Sequence, residues 1–215
     1  MVIQFSDWCD SVFRPLKLPD WWHSEDPQFP EEGLQALTYL TRLFRESGTF
    51  PSRYSIARIA RGLWFLCNSS CSDYTLSLVN DVLPLGRRLT GLRSILSLYS
   101  DLFARCGHAL AVHDDDTRIS LNNVCFMFWD MSHLSASTVA RTGRESVEAC
   151  LEVLSATLQL DNRVCKEAAL HGLGHWWHEC PQEVESIVES FLKNANECPR
   201  EVIEYAECAK RGCVE

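Results

Sequence analysis

Long apolar runs are missing from this 215-residue chain: the longest, residues 124–129, falls far short of the roughly 20 residues that cross a bilayer. No membrane span is expected. Disorder is not expected either, because 46% of the residues are hydrophobic and only 23% charged. Basic residues are scarce, with 20 Lys and Arg against 29 Asp and Glu, a net charge of -9 and a pI near 5.3. Phosphate recognition draws on clustered cations, so a nucleic-acid partner is not expected and a basic protein partner fits better. Strand signals are nearly absent, since β-branched alternation is rare and no Asn-Gly, Asp-Gly or Gly-Gly hairpin dipeptide occurs. Asp7, Asp10 and Asp20 interrupt the start of the chain, which lacks the pattern of a secretory signal, and a cytoplasmic location is expected.

Several kinds of chemistry are missing too. There is no P-loop, no G-x-S-x-G elbow, and no G-x-G-x-x-G, because Gly172-Leu173-Gly174 has no third glycine. No C-x-x-C occurs among the 11 cysteines, whose nearest pair is Cys67 and Cys71. The cysteines are spread along the chain and often fall in apolar helical patterns, as Cys125, Cys150 and Cys165 do, so reduced, mostly buried thiols are expected.

What is present is helical periodicity. Leu34, Leu37, Leu40, Leu43 and Phe44 recur three or four apart; Pro51 suits the start of a second helix carrying Ile56, Ile59, Ala60, Leu63 and Trp64. Residues 74–99 read as two shorter helices, and the chain continues as helix through residues 102–112. The acidic turn Asp114-Asp115-Asp116 follows, then a strongly apolar helix within residues 119–134 and a polar connection over 135–143. The last third is regular, with four amphipathic helices, and small residues at Ala168, Ala169, Gly172 and Gly174 resemble the second helix of a HEAT-type repeat.

The expected fold is all-α, with antiparallel helix pairs stacked as a HEAT-like right-handed array of about nine or ten helices. One domain, 1–215, is expected, comprising an irregular segment 1–30, N-terminal helices over 31–134 and HEAT-like repeats over 143–215.

The run Ala169-Leu170-His171-Gly172-Leu173-Gly174-His175-Trp176-Trp177-His178-Glu179 holds the most chemistry. His171, His175 and His178 share one helical stripe, and His171 and His175 could chelate one ion. His178 lies about 10.5 Å along the axis from His171, so a complete site needs ligands from elsewhere, with His108, His113, His133 or a cysteine as candidates. Gly172 stands where H-E-x-x-H needs its glutamate base. From this reading no metal, cofactor or catalytic residue is assigned, and the histidines are expected as partly buried, hydrogen-bonded members of a repeat interface.

Trp64, Trp129 and Trp176 are expected in the core, while Trp21 and Trp22, beside an acidic proline-rich stretch, are candidate partner contacts together with Asp114, Asp115 and Asp116. Acids are in excess at both ends. Residues 1–32 carry Asp7, Asp10, Asp20, Glu25, Asp26, Glu31 and Glu32 against Arg14 and Lys17, and residues 141–215 are likewise acid-rich.

Taken together, Tyr54-Ser55, Gly62-Leu63-Trp64-Phe65-Leu66, Cys125-Phe126-Met127-Phe128-Trp129-Asp130, Cys165 with Ala169-Leu170-His171-Gly172-Leu173-Gly174-His175, and Tyr205-Ala206 before Gly212-Cys213 resemble a family of small bacterial, HEAT-like all-helical immunity proteins that accompany Rhs-type and other polymorphic toxins. The resemblance covers most of the chain after about residue 30 and transfers no catalytic residue. It implies a binding protein, not an enzyme, that neutralises a cognate toxin domain by occluding its active site. Two alternatives stay open on the residues alone: a helical-repeat adaptor for another protein partner, and a metal-dependent enzyme using His171 and His175.

Overall fold

The computed structural model describes residues 3–14, 33–106, 119–195 and 198–214, and every regular element among them is helical. No described helix is long and apolar enough to cross a membrane. Helix α1 (Phe5–Val12) lies inside the segment read as irregular and buries Phe5, Trp8, Cys9 and Val12. Trp8 is fully buried, and its Nε1–H donates to the Tyr74 hydroxyl at 2.7 Å. One face of residues 5–13, with Phe5, Trp8, Cys9, Val12 and Phe13, therefore belongs to the core. Trp21, Trp22, Asp114, Asp115 and Asp116 lie outside the described residues.

The apolar spacing of α2 (Gly33–Glu46) carries Leu37, Leu40, Leu43 and Phe44 into the core, and α3 (Ile56–Cys67) does the same with Ile59, Ala60, Leu63 and Leu66. Pro51 does not open α3. It lies in a 3-10 stretch, Ser47–Ser52, that continues from α2, where a missing N–H is tolerated in so short a turn. Between residues 74 and 99 only one full helix forms: Tyr74–Leu78 is a 3-10 turn, and α4 spans Leu85–Ser97. The chain continues as helix past Leu102, as α4 runs through a π-turn, Leu98–Phe103, into α5 (Ala104–Cys106). The wider π register turns Leu98, Tyr99, Leu102 and Phe103 all inward.

Helix α6 (Leu121–Met131) begins where the Ser120 side chain accepts from the Asn123 N–H at 3.1 Å. The polar connection after it contains a short helix, α7 (Ala136–Ala140), and ends at Gly143, whose φ of 113° favours glycine. The last third forms α8 (Arg144–Leu158), α9 (Arg163–Trp176), α10 (Pro181–Lys193) and α11 (Arg200–Ala209), in the order the sequence suggests. Asn162 fixes the start of α9 by accepting from the Cys165 N–H at 3.0 Å, and Pro181 opens α10.

Packing sorts the longer helices into two rows. In one row α2 packs on α4, α4 on α8 and α8 on α10; in the other α3 packs on α6, α6 on α9 and α9 on α11. One hydrophobic core runs between them, including Trp129, Trp176, Tyr99, Phe128 and Leu154.

Gly172 shows why the second row needs small residues. A Cβ placed there meets Trp129 Cγ at 2.8 Å and Leu154 Cδ2 at 2.9 Å, so α9 approaches α6 and α8 too closely for alanine. Gly174 is similarly pressed by Val214, at 2.5 Å. Gly172→Ala is expected to destabilise the fold by about 1–3 kcal/mol, because overpacking outweighs alanine's helix propensity. Gly86, in the first turn of α4 with open space around it, is the contrast: Gly86→Ala is expected to be neutral or to stabilise by up to about 1 kcal/mol. Urea unfolding of both variants checks the pair. Equal effects at the two sites would remove the packing explanation.

Candidate functional site

The described chemistry-bearing groups converge at one place, where the end of α6 meets the C-terminal half of α9. His171 and His175 stand one turn apart on α9, and Asp130 projects from the end of α6. Their ligand atoms all lie within 4.8 Å of one another. The Nε2 atoms of His171 and His175 are 3.1 Å apart, with the two rings nearly perpendicular at 83°. Asp130 Oδ1 lies 3.8 Å from His175 Nε2.

Packing behind this group holds it in register. Trp129, the neighbour of Asp130, is buried with its ring edge-on to Trp176 at 6.2 Å and its face against Gly172. Phe126, one turn earlier on α6, packs its ring on the His171 imidazole at 4.4 Å. From α11, the Tyr205 hydroxyl sits 2.9 Å from His171 Nδ1. Three helices thus fix the orientation of His171.

Burial differs sharply across the group. His171 is only 3% exposed, whereas the side chains of His175 and Asp130 are 41% and 43% exposed. Desolvation, reinforced by the neighbouring His175, lowers the His171 pKa below its usual value, and the Asp130 carboxylate offsets only part of this. The buried imidazole is therefore held neutral. The Tyr205 phenol is pushed up to about 12 by burial and by Glu167, and stays protonated.

The exposed side of the group opens into a cleft of about 250 Å³, walled by Asp130, Ser135, Ser137, His175, His178 and Glu179. Beyond its rim lie the first turns of α8 and α10, where Arg144 bridges Glu148 and Glu183 at 3.0 and 2.9 Å. Glu145, Glu179 and Glu185 are exposed around it, and none has an ion pair among the described residues. This end of the molecule has a neutral imidazole inside and carboxylates outside.

The spacing argument for His171 and His175 holds in part. They do come together, yet the third group is Asp130, not one of the ligands expected from elsewhere. His133 is committed to Thr75, whose Oγ1 is 2.8 Å from its Nδ1, and to Asp73 at 3.7 Å. His108 and His113 lie outside the described residues. The cysteines are all free; burial raises the thiols of Cys67, Cys125 and Cys150, which makes them poor nucleophiles and ligands at neutral pH. One sequence signal could have found Asp130: it is the lone carboxylate in the apolar stretch 119–134.

The arrangement can accept a hydrogen bond, bind a cation, or present carboxylates to a basic surface. Among the described residues the one hydroxyl hydrogen-bonded to His171 or His175 is the Tyr205 phenol, and no serine, threonine or cysteine side chain is hydrogen-bonded to either. Compared with protein-family models, with curated proteins and with solved structures, the chain matches none.

Proposed function

We propose that this chain is a protein-binding helical array of the immunity type, which neutralises a cognate toxin domain by docking on its basic active-site surface. The observation that carries the reading is the set of exposed carboxylates around the cleft: Asp130 and Glu179 on its walls, Glu145 and Glu185 at the adjoining helix starts. With a net charge of -9 over the chain, this face would steer a basic partner and raise its association rate.

The order of packing supports the finer, HEAT-like description. In stacked helix pairs, first helices pack on first helices and second on second; the rows α2, α4, α8, α10 and α3, α6, α9, α11 run in that order, and within the last third α8 packs on α9 and α10 on α11 as paired helices would. Two of the segments that carry the resemblance meet in the close contact of Gly172 with Trp129. A general adaptor would share this architecture; a toxin antagonist is distinguished by its partner.

Co-expression provides the test. Cells making the product of the adjoining upstream gene should survive when this chain is made with it, and lose that protection when the chain carries a core-breaking substitution. Death despite abundant, folded chain would remove the immunity reading and leave the adaptor.

A further inference from the structure

The geometry points to a divalent transition-metal site formed by Asp130, His171 and His175, with Tyr205 as the partner that orients His171. This goes beyond partner binding and does not depend on it. The ligand class is a borderline cation of the zinc, cobalt or nickel kind, since two imidazoles and one carboxylate suit these better than magnesium or calcium, which prefer oxygen ligands.

Distances carry the inference first. Two nitrogens on one tetrahedral ion, each about 2.0–2.1 Å from it, lie about 3.3 Å apart. The His171 and His175 Nε2 atoms are 3.1 Å apart. Asp130 Oδ1 is 3.8 Å from His175 Nε2, and the three ligand atoms lie within 4.8 Å of one another, so the carboxylate must close by up to about 1.5 Å towards His171, which its half-exposed side chain has freedom to do.

Proton placement carries it further. Two Nε2 atoms facing each other at 3.1 Å cannot both present lone pairs, so one holds a proton that a metal would displace. The Tyr205 hydroxyl can donate or accept, so it is compatible with His171 ligating through Nε2: the protonated Nδ1 of that tautomer would donate to the Tyr205 oxygen, 2.9 Å away. A ligating histidine commonly donates its other ring N–H to an acceptor that fixes the ring, the place the Tyr205 oxygen would fill here.

Three protein ligands leave at least one coordination position, and it faces the cleft. The cleft's 250 Å³ accommodates waters, each occupying about 30 Å³. An ion here would also tie α6 to α9, two neighbours in one row.

The test uses the full chain, stripped with EDTA under reducing conditions and titrated with Zn²⁺ by calorimetry and thermal unfolding. The expected result is one Zn²⁺ per chain, with a Tm rise of about 5–10 °C at 100 times Kd. H175A and D130N remove groups that are over 40% exposed, so their Tm in EDTA should stay close to wild type, while Zn²⁺ affinity falls by at least about 100-fold. Tyr205→Phe is expected to weaken binding by about 10-fold through His171 alone. Co²⁺ should give the visible bands of a four- or five-coordinate ion without the near-ultraviolet band of a thiolate ligand. Absence of stoichiometric binding would overturn the proposal, as would binding that survives H175A and D130N, which would place the ion on cysteines.

Discussion

Trp129→Ala is expected to lower the unfolding free energy by about 3–5 kcal/mol, the largest single-residue effect in the described structure. Trp129 is 1% exposed and packs α6 against α9. Its ring is edge-on to Phe128 and Trp176, and it fills the space that Gly172 leaves on α9. Alanine would open a cavity that the flanking helices cannot close without pulling α9 from α6. Trp129→Phe should cost clearly less, because much of the volume is kept. Leu76→Ala, at a side chain that is 40% exposed, should change stability by no more than about 0.5 kcal/mol. Urea unfolding followed by far-UV circular dichroism ranks the three variants. A small loss for Trp129→Ala would mean that the α6 and α9 contact is not the keystone of the core.

The second large effect concerns association. Glu179 lines the cleft, and Glu145 and Glu185 lie near the starts of α8 and α10; all three are exposed and without ion pairs among the described residues. Replacing all three with glutamine should leave stability nearly unchanged, because exposed unpaired carboxylates contribute little to it. It should slow association with a basic toxin partner by about 10-fold at low ionic strength, with much less change in the dissociation rate. The difference should vanish as ionic strength approaches about 1 M, where the Debye length is near 3 Å. Neutralising Glu152, which is paired with Arg93 at 2.9 Å, is the contrast and should change the rate much less.

How much of this was legible in the sequence follows from the range of each interaction. Helices of the last third were legible because their apolar residues repeat within a turn, and Trp129 and Trp176 were legible as core for the same reason. Gly172 announced close packing through its cost in a helix, although its partners, Trp129 and Leu154, appear only in three dimensions. Pro51 misled because proline suits a helix start and a 3-10 turn alike. The π-turn at Leu98–Phe103 was invisible because it keeps residues apolar while changing the register. The burial of Trp8 depends on contact with Tyr74, far along the chain.

The site divides in the same way. The pairing of His171 with His175 follows from i and i+4 spacing on one helix. Asp130 and Tyr205 come from other helices, so no local pattern relates them to His171, and only the crossing of α6, α9 and α11 brings them within reach. That crossing is set by Gly172 and Trp129, residues whose sequence signal concerned packing.

Binding between this purified chain and the product of the adjoining upstream gene, measured across salt concentrations, is the decisive observation. A one-to-one complex of nanomolar affinity whose association rate falls steeply with salt, and falls further when Glu145, Glu179 and Glu185 are neutralised, is the expected outcome. No complex at low ionic strength, or one that forms equally fast with all three carboxylates removed, would contradict an acidic docking face.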